Sequence, residues 1–328
     1  MRAPMLITAF LVCVFAMPVA VQAGQARAVP EVGVLLPVVS ADKEEAMNSL
    51  NAALIDGLRA LGYVEGKNIH VELRVPRKPE DLAEMAADLV NRKVDIIVTT
   101  GPQPIEAASR ATATIPIVII ACDRADRLVN SIARPGGNIT GMACISSDLA
   151  LKRLQLLQQI VPRLSRLAVL FNGGVPAKVA ELQDVKAAAK ILEIDIQSAD
   201  VRDASGFAAA FAAIKGGNPE ALFILVDPLT FTYVKELAGF AAEQRLPSMF
   251  GFREFCDAGG LLCYGANLKS EWRRFAYFID KILKGTKPGD IPVEEPTVFE
   301  MIVNARTAKL FDLTLPGVIL VGADEVIE

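Results

Sequence analysis

Histidine is almost absent: His70 is the only one in 328 residues. A Ser-His or Cys-His arrangement therefore has a single candidate base, and His70 lies in NIHVELRV, an alternating run that reads as a half-exposed strand. Also missing are a GxGxxG at a strand-to-helix turn, a Walker lysine loop, an HExxH helix and a nucleophile elbow. These gaps exclude the common nucleotide-, zinc- and serine-based chemistries, so no catalytic residue, cofactor or metal is expected. The Gly-Gly of RPGGN (134–138) precedes a strand instead of opening a helix, which makes it a tight turn and not a phosphate loop. The cysteines match no zinc or redox spacing. Cys122, Cys144, Cys256 and Cys263 are expected to be free, buried small hydrophobes, with a Cys256–Cys263 bond across CDAGGLLC as the alternative.

A strong charge of either sign is lacking too. Without residues 1–23 the chain carries 33 basic and 38 acidic side chains, a net charge of −5, which argues against nucleic acid or anionic lipid as the main partner. One apolar run stands out, in MRAPMLITAFLVCVFAMPVAVQA, where Arg2 precedes an apolar stretch ending in Val-Gln-Ala. This pattern predicts a secretory signal over residues 1–23, cleaved near Ala23; Pro18 and the shortness of the run disfavour an anchoring helix. No later run approaches membrane-spanning length, so an exported, soluble protein is expected.

The whole chain is 52% hydrophobic, and the part after residue 23 is long enough for two domains. Val- and Ile-rich runs alternate with helical spacing: VGVLLPVV, KEEAMNSLNAALIDGLRALGY, NIHVELRV, EDLAEMAADLVNRK, DIIVTT, QPIEAASRAT, IPIVIIAC, a short helix up to Ala133, then ITGMACI. This is the βαβ rhythm of a parallel sheet of five strands. After the helix DLALKRLQLLQQIVP the same rhythm restarts with RLAVLFN, a helix over 176–193, DIQSADV, a helix over 205–215, ALFILV, a helix over 230–245 and SMFGF. The expected fold is α/β, two similar doubly wound parallel-sheet lobes with an interdomain cleft.

Ligands of open parallel sheets bind beyond the carboxyl ends of the strands. Those ends supply Ser40, Gly101, Pro102, Gln103, Cys122 and Asp123 in the first half, and Asn172, Asp227, Phe252 and Glu254 in the second. Such a polar, glycyl and aromatic set suits holding a small molecule better than transforming it. Gly101 lets a ligand approach the backbone, Pro102 is tolerated at a helix start, and the N–H groups that follow favour an anion, so a carboxylate is the preferred occupant. Asp123 and Asp227 are placed to accept an ammonium group or to cap a helix. Phe250 and Phe252 belong to the core or stack on a flat ligand. Arg253 and Glu254 pair with each other at a helix start. Tyr264 marks a hinge or a cleft wall.

Several segments together resemble the ABC transporter substrate-binding proteins of the tryptophan/tyrosine-binding-like group, which have the type I periplasmic binding fold. They are LRALGYVEGKNI, LAEMAADLVNRKVDIIVTTG, ATATIPIVI, SIARPGGNITG, LPSMFGFREFCDAGGLLCYGANL, FIDKILKGTKPGDIPVEEPTVFEMIVNARTAKLFDLTLP and ADEVIE. The resemblance implies a small-molecule ligand clasped between two lobes joined by three crossovers. It also implies a periplasmic, monomeric protein that touches the membrane only through a permease driven by a cytoplasmic ATPase. The lobes would be 30–146 plus 264–290 and 147–263 plus 291–328. Asp123, Asn172, Arg253, Glu254, Tyr264 and Gly265 keep the group's pattern. It is broken by RVPRKPED after NIHVEL, by Gly101-Pro102-Gln103 and by Cys122-Asp123-Arg124-Ala125. Two other roles fit the residues: a cofactor-independent racemase or epimerase using opposed thiols, Cys122 with Cys256 or Cys263, and a sensory binding protein that presents its closed lobes to a receptor.

Overall fold

A computed structural model describes residues 29–38, 44–121, 128–143 and 149–328. Its first sheet contains β1 (Glu31–Leu35), β2 (His70–Arg74), β3 (Ile96–Thr100), β4 (Ile117–Ala121) and β5 (Ile139–Ala143) in the order β2-β1-β3-β4-β5, all parallel. Alternate side chains of each strand face opposite helical layers. Val32, Val34, Ile96, Val98, Val118 and Ile120 meet α1 (Glu44–Ala60) and α10 (Leu268–Leu283). Leu35, Ile97, Ile117 and Ile119 meet α2 (Asp81–Asn91) and α3 (Pro102–Ala111). Burial on both faces explains why these strands read as unbroken apolar runs.

The second sheet follows the same rule. It contains β6 (Arg166–Phe171), β7 (Asp195–Asp200), β8 (Ala221–Ile224), β9 (Ser248–Phe250), β10 (Leu262–Ala266), β11 (Phe299–Asn304) and β12 (Glu325–Ile327), in the order β12-β11-β10-β9-β8-β6-β7. It is parallel except between β10 and β11. One face carries α4 (Ala150–Ile160) and α5 (Pro176–Ile191), the other α6 (Phe207–Gly216) and α8 (Val234–Glu243). The protein is thus an α/β fold of two parallel-sheet lobes.

Four details differ from expectation. The helix expected over 230–245 is two pieces, α7 (Pro228–Thr232) and α8, because Asp227 and Thr230 form a capping box that starts α7 early and Tyr233 leaves helical geometry between them. Residues 128–133, expected to end a helix, form turns and bends, and Ser131 Oγ bonds both the N–H and the carbonyl of Arg134. Tyr264, expected to begin the return to the first lobe, sits on β10 within the second sheet; the passage comes at Asn267, which caps α10. Residues 291–294, expected in the second lobe, stay on the edge of the first. The Thr140 hydroxyl donates to the Ile291 carbonyl at 2.7 Å, and Glu294 N–H donates to the Gly141 carbonyl at 2.9 Å. An edge strand such as β5 offers unpaired backbone groups, and this segment fills them.

The helix α10 explains how the lobes stay joined while sharing chain. Trp272, Phe275, Phe278 and Ile279 are buried in the first lobe although β10 and β11, on either side of α10 in the chain, belong to the second. Each such side chain contributes about 2 kcal/mol of burial, which fixes the helix to its lobe. At the passage Asn267 N–H donates to the Val298 carbonyl at 3.1 Å and its side chain to Glu300 Oε2 at 2.8 Å, tying two of the crossing strands together. Residues 144–148 lie outside the described residues, as do residues 1–23, where a signal is expected, Ser40, Cys122, Asp123 and Cys144. Among the described residues no helix is long and apolar enough to cross a membrane.

Candidate functional site

The carboxyl ends of both sheets face a cavity of about 140 Å³ between the lobes. From the first lobe come Pro37, Val38, Met47, Leu50, Thr100, Gly101, Pro102, Ile120, Leu268 and Trp272. The second contributes Val175, Lys178, Val226, Asp227, Pro228, Phe231, Thr232 and Phe252. Most of the wall is apolar, which is more hydrophobic than the strand-end residues suggested. Phe231, on α7 of the second lobe, packs against the cores of both lobes. A methyl group placed on Gly101 would lie 3.8 Å from Cγ of Pro228 across the cleft. The cleft is therefore closed in this structure.

Gly101 sits at φ 83° and ψ 153°, a backbone region that side chains other than glycine avoid, and it turns the chain sharply from β3 into α3. The anion cradle expected there is thin. Pro102 and Pro104 carry no N–H, and Ile105 N–H already donates to the Gly101 carbonyl at 3.2 Å, so the first turn of α3 has only the Gln103 amide to offer. The threonines beside it are used internally, with Thr99 Oγ1 donating to the Leu35 carbonyl at 2.8 Å and Thr100 Oγ1 to the Ile120 carbonyl at 3.2 Å.

On the opposite wall Asp227 is held by three donors: Thr230 N–H and Thr230 Oγ1, each 2.9 Å from Oδ1, and Asn172 Nδ2, 2.6 Å from Oδ2. Asp227 is therefore both a helix cap and a wall residue, and Asn172 lies behind it. Lys178, in the first turn of α5, is buried, and its Nζ is 2.7 Å from Oε2 of Glu181. The other Glu181 oxygen lies 3.6 Å from Arg153, whose Nε donates to the Tyr264 carbonyl at 2.8 Å. Burial lowers the pKa of the Arg153 guanidinium, against the pull of Glu181.

Of the sequence-predicted residues, Gly101, Pro102, Asp227 and Phe252 line the cavity. Gln103 points to an exposed position, and Asn172 is one layer back. Phe250 is core, stacked on Phe255 at 4.6 Å, while Phe252 meets Phe231 edge-on at 6.3 Å. Tyr264 stacks on Phe299 at 6.5 Å beside the interlobe passages and is not among the lining residues. Glu254 is also away from the wall; its Oε2 is buried without a hydrogen-bond partner, and burial pushes the carboxyl up to about 7. Arg253 does not pair with it as expected, but with Asp257, Glu300 and Glu325.

Cys256 and Cys263 form a disulfide, with Cα atoms 6.0 Å apart, where free thiols were expected. The strand-to-strand excursion through α9 (Arg253–Asp257) brings the two cysteines together, which their spacing in sequence could not show. Neither can then serve as the second thiol of a racemase. Sequence reasoning missed Met47, Leu50, Lys178, Phe231 and Trp272. A lysine in the first turn of a helix, against the helix dipole, was the one local signal available for Lys178.

The family model described as ABC transporter substrate binding protein matches residues 31–327. A tyrosine-binding protein of Clostridioides difficile strain R20291 is 24% identical over 272 residues, 82% of this chain and 78% of the relative. The ABC domain in complex with L-Trp from Streptococcus pneumoniae superposes with a TM-score of 0.82 at 20% identity, covering 91% of this chain and all of that one. A ligand-free, open substrate binding protein with adhesive properties from Clostridium difficile gives 0.70 at 21% identity, covering 91% and 99%. With the family model spanning both lobes and the cleft between them, this chain belongs to the ABC transporter substrate-binding proteins.

Proposed function

We propose that the protein is exported to the periplasm after cleavage near Ala23, captures a small carboxylate-bearing solute, an amino acid or related organic acid, and delivers it as a monomer to an ABC permease with a cytoplasmic ATPase. The observation that carries this reading is the cavity built from both lobes, with Phe231 packed against each core. Its volume is close to that of an engineered cavity of about 150 Å³ that takes benzene, so the ligand body is about one ring in size. The names of two relatives, one tyrosine-binding and one holding L-Trp, support an amino-acid-like ligand. A permease can tell loaded from empty protein only if the ligand favours the closed arrangement, which a cavity walled by both lobes achieves.

Mass spectrometry of small molecules released from the purified protein is expected to find such an acid, and calorimetry to show one site per chain. Catalytic turnover of that acid without partners, or proton exchange with solvent deuterium at its stereocentre, would overturn the reading. Delivery predicts that the loaded protein stimulates ATP hydrolysis by its permease in proteoliposomes; no stimulation would favour a sensory role.

A further inference from the structure

Lys178 carries two local costs. It is 3% exposed, and it sits in the first turn of a 16-residue helix, at the positive end of the dipole. An ammonium has three donors, and among the described residues Glu181 is its one hydrogen-bond partner. Glu181 is in turn shared with Arg153. Lys178 is also one of the residues that line the cavity. Opposite, α3 has lost two of its first-turn amides to Pro102 and Pro104, and on the second lobe's own wall Asp227 is engaged by Thr230 and Asn172.

From this we propose that Lys178 is the residue through which the second lobe reads the anionic group of the solute. The ligand class is an apolar body of about one ring with a carboxylate at the end that meets α5, and Glu181 is the internal counter-ion that holds the ammonium in place when the site is empty. Binding an acid through the second lobe while its body rests on Trp272 and Leu50 of the first links the two lobes through the ligand, which is how capture favours closure. This rests on the proposed role as a carboxylate-binding protein.

Calorimetry on ligand-stripped protein with L-phenylalanine, L-tyrosine and phenylacetate, each beside its carboxamide, tests it. The natural chain is expected to prefer the acids. Lys178→Met should weaken acid binding roughly 10- to 100-fold and leave the amides nearly unchanged, so that the preference disappears. Glu181→Gln should tighten acid binding a few-fold, because it frees the ammonium from its competitor. The double variant K178M/E181Q removes both members of the Lys178–Glu181 pair together, so neither is left without the other, and should lose the preference as the single variant does. If K178M keeps the preference for acids, or if K178M and E181Q weaken acids and amides equally, Lys178 is a structural ion-pair partner and the inference fails while the proposed function stands. If the natural chain binds none of the acids or prefers the amides, the inference fails; the proposed function falls with it only if the molecules released from the purified protein include no carboxylate-bearing ligand.

Discussion

Asn172 Nδ2 donates to Asp227 Oδ2 at 2.6 Å just behind the cavity wall, and the other Asn172 side-chain atom, Oδ1, accepts from Gly174 N–H at 2.9 Å. One side chain thus fixes both the carboxylate that lines the site and the loop leading into α5. Asn172→Ala leaves a buried carboxylate short of a donor. The expected outcome is a loss of about 2 kcal/mol in urea unfolding and roughly 10-fold weaker ligand binding. Unchanged unfolding and affinity would show that Asp227 does not depend on this bond.

Gly101 offers a cleaner test of backbone conformation. A methyl group there would meet its nearest neighbours, Pro228 and Pro104, at 3.8 and 3.9 Å, which is ordinary contact, so crowding is not the obstacle. The positive φ is. Gly101→Ala is expected to cost about 1 to 3 kcal/mol, read as a lower urea midpoint with unchanged slope.

Glu271 predicts a pH dependence. Both carboxyl oxygens are buried without a hydrogen-bond partner, and burial pushes the group from 4.5 up to about 7. Between those values the folded protein holds a proton that the unfolded chain has released. Stability therefore falls as pH rises through the window, by at most about 1.4 kcal/mol per pH unit for this group, and levels off above it. Glu254 acts in the same direction. Glu271→Gln should flatten part of this slope in unfolding measured on either side of the window; an unaltered slope would contradict the assignment.

Trp272 is the single tryptophan of the chain and lines the cavity at 2% exposure. Ligand binding should change its emission in a saturable way, with a midpoint matching calorimetry. Trp272→Phe should abolish the signal while leaving binding measurable by heat. Emission that ignores a bound ligand would place the ligand elsewhere.

Much of this was legible from the chain alone. Runs such as IIVTT and IVIIA announced strands buried on both faces, and their alternation with helical spacing announced two parallel-sheet lobes, because a side-chain period of two or 3.6 residues is a local property. The carboxyl-end rule then located Gly101, Pro102, Asp227 and Phe252 at the cavity. Where local signals conflict, the reading was weaker: Pro102 alone suggests a helix start open to an anion, yet Pro104 closes most of that opening.

What tertiary structure decided is which faces meet across the cleft. Nothing local marks Trp272, Leu50 and Lys178 as lining one space, because a sequence records the helical face a residue occupies and not the surface that face is pressed against. Lobe closure placed these residues on one wall-lined space. The Cys256–Cys263 bond has the same origin, since the approach of two cysteines depends on how the chain folds back between β9 and β10. Secondary structure and lobe architecture followed from interactions among near neighbours, whereas the composition of the site followed from contacts between residues far apart in the chain.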